Sequence, residues 1–158
     1  MRKTFMLLSA MLILITSCSI SKTAREKRNL ISGTWILQDV GYENAEGSFK
    51  AVLFNDAHAI CFEGSDWFFR DNNSTGRYTL TASSQCNGGD RFIRWSVQET
   101  GGTPQLQFKF IDEKRKDISG GVGYRLNIAT LTASEMILKS NASVDGSIVT
   151  VVYQFTKK

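Results

Sequence analysis

The sequence predicts an all-β protein: an eight-stranded antiparallel up-and-down barrel with one short helix between the first and second strands. Three observations lead there. Beyond Cys61 apolar and polar residues alternate, as in Ile93, Trp95 and Val97, in Leu106, Phe108 and Phe110, and in Val149, Val151, Tyr153 and Phe155, which is the period of a half-buried strand. Short connections rich in Gly, Asn and Ser separate these runs, so consecutive strands pair as hairpins. Eight strands with one apolar face each could pack as a sandwich or close on themselves. Sequential hairpins favour closure, which removes both sheet edges.

In chain order, the fold is expected to begin near Leu30. Residues 31–42 form the first strand, with Trp35, Leu37 and Asp39 on one face, and Gly47 helps end it. From Phe49 to Ile60 the pattern changes. Phe49, Val52, Leu53, Ala57 and Ile60 recur at helical spacing among alanines, which predicts a short amphipathic helix across one end of the sheet. Trp67 to Phe69 and Arg77 to Leu80 then flank Asp71-Asn72-Asn73-Ser74-Thr75-Gly76, a turn-forming cluster, and make a hairpin. Thr100-Gly101-Gly102-Thr103 joins the next two strands, and Pro104 sits at a strand start, where it does little harm. Residues 112–121, with Lys114, Arg115, Lys116 and Ser119-Gly120-Gly121, read as a mobile loop. The last three strands cover about 122–131, 136–142 and 147–156.

The N-terminus sets the address. Arg2 and Lys3 precede an apolar run from Phe5 to Ile15, too short for an ordinary membrane span, and Thr16-Ser17 leads into Cys18. Ile15-Thr16-Ser17-Cys18 resembles a bacterial lipobox. That resemblance implies a signal peptide over 1–17 and fatty acyl chains such as palmitate on Cys18, which hold the mature protein stably at a membrane. It also implies a place in the cell envelope, and Ser19 after the cysteine favours the outer membrane. Residues 18–29 read as a polar, basic tether, with 30–158 as one domain. The tether's Lys22, Arg25, Lys27 and Arg28 are either simply solvated or lie against anionic headgroups. Part of the net charge of +4 leaves with Arg2 and Lys3, so the basic balance does not indicate nucleic acid.

With Cys18 acylated, Cys61 and Cys86 remain as a pair in an oxidising compartment and are expected to form a disulfide. One histidine and two cysteines are too few for a structural metal site, and no cofactor motif is present.

Gly33-Thr34-Trp35 at the first strand resembles the G-x-W motif of lipocalin and calycin barrels. Together with the lipobox, Ser65-Asp66-Trp67, Asn72-Asn73-Ser74-Thr75-Gly76 and Tyr78, it is similar to the lipocalin-like lipoproteins of Bacteroidetes. The resemblance implies a lipocalin-like barrel in which Trp35, with Gly33, packs across the closed base. It departs in the last strand, where lipocalins place an arginine over that tryptophan and this chain offers only Lys157 and Lys158.

Trp67, Phe69, Tyr78, Trp95, Phe108, Phe110, Tyr124 and Tyr153 fall on faces that could point inward. In an open barrel they line a ligand pocket, and in a filled one they are core. Arg91, Arg94 and Arg125 are expected to face outward, though one could enter the cavity to pair with an acidic ligand. His58 and Asp56, the pair Glu63 and Asp66, and the glycines at 120, 121 and 123 make no catalytic or phosphate-binding constellation. The expected function is therefore non-catalytic: an envelope lipoprotein binding a small, mainly apolar ligand. The alternative is a packed barrel whose surface meets an envelope protein or a polysaccharide.

Overall fold

The computed structural model describes residues 22–43, 51–144 and 146–158, so the lipobox and Cys18 lie outside the described residues. Helix α1 (Lys22–Ile31) leads into β1 (Gly33–Glu43). A small hairpin, β2 (Val52–Leu53) and β3 (Ala57–His58), and a 3-10 turn (Ala59–Cys61) follow. Then come β4 (Asp66–Phe69), β5 (Thr75–Leu80), β6 (Gly89–Thr100), β7 (Thr103–Phe110), β8 (Tyr124–Leu131), β9 (Glu135–Val144) and β10 (Ser147–Lys157). Eight of the strands close into a barrel in the order β1-β10-β9-β8-β7-β6-β5-β4, while β2 and β3 pair only with each other. Every barrel pairing is antiparallel, so the chain runs up and down as expected, and β1 seals the barrel between β4 and β10.

The alternation read from the sequence becomes the core. Trp67, Phe69, Tyr78, Leu80, Ile93, Trp95, Val97, Leu106, Phe108, Val151, Tyr153 and Phe155 are all buried. In β1 the parity changes partway. The register slips between Leu37 and Asp39, so one residue bulges, Val40 takes the inward place expected of Asp39, and Asp39 faces solvent, accepting a hydrogen bond from Gln154 Nε2 at 3.3 Å.

Residues 22–29 are not a tether. They belong to α1, whose Ala24, Arg28 and Ile31 lie on one face, with Ala24 and Ile31 buried. Arg28 stacks its guanidinium 4.5 Å from the centroid of the Trp95 ring, while its Nε meets Asp71 Oδ1 at 2.5 Å and its Nη2 donates to the Asp71 carbonyl and to Ser74 Oγ. A cation thus supplies the packing that a helix this polar lacks in apolar residues.

This end of the barrel is closed. Trp35 is fully buried and donates from Nε1 to the Ile31 carbonyl at 2.7 Å. Lys157 Nζ lies 5.0 Å from the Trp35 ring centroid and donates to the Leu30 carbonyl at 2.8 Å, so a lysine stands where lipocalins place arginine. Gly33 has φ +119, a conformation that a side chain would strain. Gly76 is required for another reason: a Cβ there would collide with the Phe68 carbonyl oxygen of the neighbouring strand. In the same turn Asn73 Oδ1 accepts from the Thr75 amide at 3.1 Å.

The predicted helix over 49–60 shrinks to the 3-10 turn Ala59–Cys61, and Phe49 lies outside the described residues. Residues 52–58 instead form the β2–β3 hairpin. Asp56 donates its amide to the Leu53 carbonyl at 3.0 Å, and Phe54 and Asn55 between them have φ of 54° and 51°. Positive φ at both central residues makes a hairpin turn, and burial of the adjacent Leu53 and Phe54 overrides the helical spacing of Val52, Leu53 and Ala57. The loop of residues 111–123 is fastened rather than free. Asp117 bridges to Ile111, meets Lys109 Nζ at 2.5 Å and accepts from Ser119 N at 2.8 Å, and these partners, Lys109 first, hold its carboxyl well below the usual range.

Cys61 and Cys86 are bonded, with Cα atoms 5.5 Å apart. The bridge ties the end of the β1–β4 connection to the β5–β6 connection. In Cys61→Ser the midpoint of a urea transition under oxidising conditions is expected to fall by the equivalent of about 3 kcal/mol, the loop-closure contribution for a bridge of this span. An unchanged midpoint would show that the bridge adds nothing.

Candidate functional site

The hairpin loops after β4, β6 and β8 lie at the end sealed by α1. The connections after β1, β5 and β7 lie at the other, and residues 51–65 of the longest, between β1 and β4, fold over that mouth as a lid. At its tip the turn aims Phe54 into the barrel. Five rings surround Phe54: Phe62, Trp67, Phe108, Tyr124 and Tyr153, with centroids 5.0–6.2 Å away. Four meet it edge to face and Tyr153 lies nearly parallel to it, the arrangements that ring quadrupoles favour. Trp67 stacks on Tyr78 at 4.4 Å, and Phe110 completes the wall beside Phe108 and Tyr124.

Polar contacts lock the tip. Asp56 Oδ2 accepts from Tyr78 OH at 2.7 Å and from Arg91 Nε at 3.0 Å, with Arg91 steadied by the carbonyls of Gly89 and Asn87. Tyr124 OH donates to the Phe54 carbonyl at 2.6 Å. Deeper in, Tyr153 OH shares a hydrogen bond with Ser140 Oγ at 3.0 Å, and Trp67 Nε1 donates to the buried Ser65 Oγ. Burial, reinforced by the Asp56 carboxylate, raises the Tyr78 phenol far above its ordinary value, and burial pushes Tyr153 up to about 12. Both phenols therefore stay protonated well above neutral pH, and Tyr78 is fixed as a donor to Asp56.

Of the residues expected to face a ligand, Trp67, Tyr78, Phe108, Phe110, Tyr124 and Tyr153 gather at this mouth. Phe69 and Trp95 meet each other at 5.2 Å toward the sealed end, where Trp95 lies under Arg28. The centre of the barrel is filled by side chains, Phe54 foremost, and that residue, with Phe62, Asp56 and Arg91, completes the site without having been singled out as lining. Arg91 is the arginine that turns to the mouth. Arg94 and Arg125 line an outer cleft of about 730 Å³ with Lys109 and Gln107. His58 and Glu63 are exposed, and Asp66 pairs on the outside with Lys158 at 2.9 Å. Beside the lid tip a second cleft, of about 470 Å³, runs between Asn55 and Asp56 on one side and Ile111 and Ile118 on the other, with Arg91 and Phe110 in its wall.

The model of the lipocalin-like domain matches residues 31–138, most of the chain and all of this mouth except Tyr153 and its partner Ser140. The chain belongs to the lipocalin-like domain family. Solved structures of bovine odorant-binding protein resemble the lipocalin-like barrel. The complex with a selenium-containing odorant is 14% identical, with a TM-score of 0.45 over 83% of this chain and 72% of that one. The complex with its natural ligand is 15% identical, with a TM-score of 0.44 over 82% and 72%. Likeness at this level says nothing about what the lipocalin-like barrel binds. A search of curated protein sequences found no significant match.

The phenols predict an alkaline limit to stability. A phenol whose pKa is raised by folding leaves stability intact below pH 10, where the unfolded phenol is still protonated. Stability is then lost as pH rises through the folded value. Unfolding free energy should fall above pH 10 by up to about 1.4 kcal/mol per pH unit for each of Tyr78 and Tyr153, and a Tyr153→Phe chain should lose less. Denaturation at stepped pH, followed by phenolate absorbance, reads this. A flat profile from pH 10 to 12 would refute the assignment.

Proposed function

We propose that this protein is a non-catalytic envelope lipoprotein whose barrel takes up a small, mainly apolar molecule at the lidded mouth. The observation that carries this reading is the chamber of aromatic rings that Phe54 fills, with an open cleft beside the lid tip. Such a chamber offers a ligand aromatic surface together with a few oriented donors, Tyr78 OH, Tyr124 OH and Arg91, the usual make-up of a small-molecule site. Membership of the lipocalin-like family agrees with a carrier role. Anchoring by acyl chains on Cys18, at the outer membrane, rests on the lipobox-like sequence.

The second reading, a surface that meets an envelope protein or a polysaccharide, is favoured by the outer cleft with Arg94, Lys109 and Arg125. Titration of the domain lacking residues 1–21 with naphthyl and fatty-acid fluorophores separates the two. Saturable binding at micromolar concentration, with quenching of tryptophan emission and no change in an Arg94→Glu/Arg125→Glu chain, is expected for the interior site. Absence of binding, or its loss in that double variant, would move the function to the outside.

Anchoring is tested by metabolic labelling with an alkyne-tagged palmitate. The full-length chain should incorporate label and fractionate with membranes, and Cys18→Ala should do neither. A labelled Cys18→Ala chain would overturn the anchor.

A further inference from the structure

We infer that the lid tip is a built-in surrogate for the ligand, and that the ligand is a compact aromatic carboxylate. The inference rests on the interior binding site proposed above and names what that site takes. Within one three-residue turn the tip presents a phenyl ring, Phe54, to five aromatic rings and a carboxylate, Asp56, to a phenol and a guanidinium. Both groups are embedded, with the Phe54 residue 7% exposed and the side chains of Asp56 and Arg91 each 18% exposed.

The backbone shows that the ring does not sit there for want of an easier place. Phe54 holds φ 54°, where a bulky side chain is an outlier, while glycine, asparagine or aspartate would fill the position with less strain. The tip is also held differently from the lid's base. Cys61 ties the base covalently to Cys86, whereas among the described residues the tip is held by non-covalent contacts, those of Asp56, of Tyr124 with Phe54 and Asn55, and of the rings. The tip can therefore leave while Phe62, next to the bridge, remains as wall.

Withdrawal of the tip leaves a matched set of vacancies. Five rings lose their central ring, Tyr124 OH loses an acceptor, and Tyr78 OH and Arg91 Nε lose a carboxylate. Arg91 is then a cation without its counter-ion, held in place by the carbonyls of Gly89 and Asn87. An arylalkanoate satisfies the ring cage, Tyr78 OH and Arg91 at once, because its ring replaces Phe54 and its carboxylate replaces Asp56. An alkyl chain satisfies the ring cage poorly, and a neutral alcohol leaves the guanidinium unpaired. Asp90, Asp112 and Glu113 share the rim of the cleft beside the tip. Asp90 is occupied by Arg77 and Thr79, and Asp112 by the Lys116 amide. Their charge weakens every anion alike, so the informative quantity is the ratio between an acid and its matched alcohol.

Calorimetric titration with phenylacetate, 3-phenylpropanoate and 4-phenylbutanoate, each beside its alcohol, tests the inference. At least one acid should bind the wild-type domain about tenfold or more tighter than its alcohol, as expected for a charge-assisted bond made away from bulk water. Phe54→Ala, or Phe54→Leu if the alanine variant melts early, should tighten acid and alcohol together by removing the internal competitor. Arg91→Gln should collapse the acid-to-alcohol ratio toward one. Equal binding of acid and alcohol, or a ratio that survives Arg91→Gln, would overturn the aromatic carboxylate while leaving an apolar interior site intact. Ring compounds that bind neither wild type nor a folded Phe54 variant would overturn both.

Discussion

The seating of Phe54 among five rings decides what this barrel is. An eight-stranded barrel has room inside for side chains or one small ligand. With Phe54 in place the room is used. The seat is not strongly favoured over its absence, because burying a phenyl ring contributes about 2–3 kcal/mol and each good ring pair adds about 1 kcal/mol. Against this stand about 1–3 kcal/mol of left-handed backbone strain at a non-glycine residue and the entropy of fixing the turn. The Asp56–Arg91–Tyr78 contacts then weigh in the balance rather than decorate it.

The two ends of the barrel differ in kind. At the sealed end Trp35 and Lys157 bond to backbone carbonyls of α1, and Arg28 binds the Asp71 carbonyl as well as its side chain. The carbonyls that Trp35 and Lys157 bond to move only if the helix unravels. Each cation also covers a buried tryptophan, so displacing it exposes a large ring to water. At the mouth the tip is held largely by hydroxyl and side-chain donors that a small molecule could equally satisfy. The disulfide marks the boundary: it ties the lid's base covalently to the β5–β6 connection and leaves the tip on non-covalent contacts.

Much of this architecture could be read in the sequence, because a half-buried strand writes its period into the residues. The eight barrel strands, their hairpin joins and the Cys61–Cys86 bridge all follow from alternation, turn chemistry and cysteine arithmetic. What could not be read was governed by long-range contacts. Helix α1 has two buried apolar residues and is held by Arg28, so no hydrophobic stripe announces it. The bulge in β1 moves Val40 inward with no local signal beyond an aspartate in an unfavourable place. In the lid, Val52, Leu53 and Ala57 mimic a helix, and only Asn55-Asp56 hints at a turn. The six mouth-lining aromatics were recognisable by parity. Phe54, which sits between them, was not, because its inward direction comes from an irregular turn.

A barrel filled in its free form is still compatible with ligand binding, and the physics favours such an arrangement. A ring-sized apolar void left dry inside this mouth costs about 24 cal/mol for each Å³, some 3–4 kcal/mol for a chamber able to hold a benzene-sized group. A protein with a permanently open chamber bears that cost whenever it is empty and offers its surface to any apolar solute. Filling the chamber with its own side chain removes the void. It also imposes a threshold: if the closed tip is favoured by about 2–3 kcal/mol, the apparent affinity of every ligand falls by about 30- to 150-fold. A ligand that supplies only a greasy surface rarely clears that threshold, whereas one that supplies both the ring and the charge displaced from Arg91 does. Selectivity then resides in the competition between lid and ligand, and the strained turn at Phe54 sets how hard that competition is.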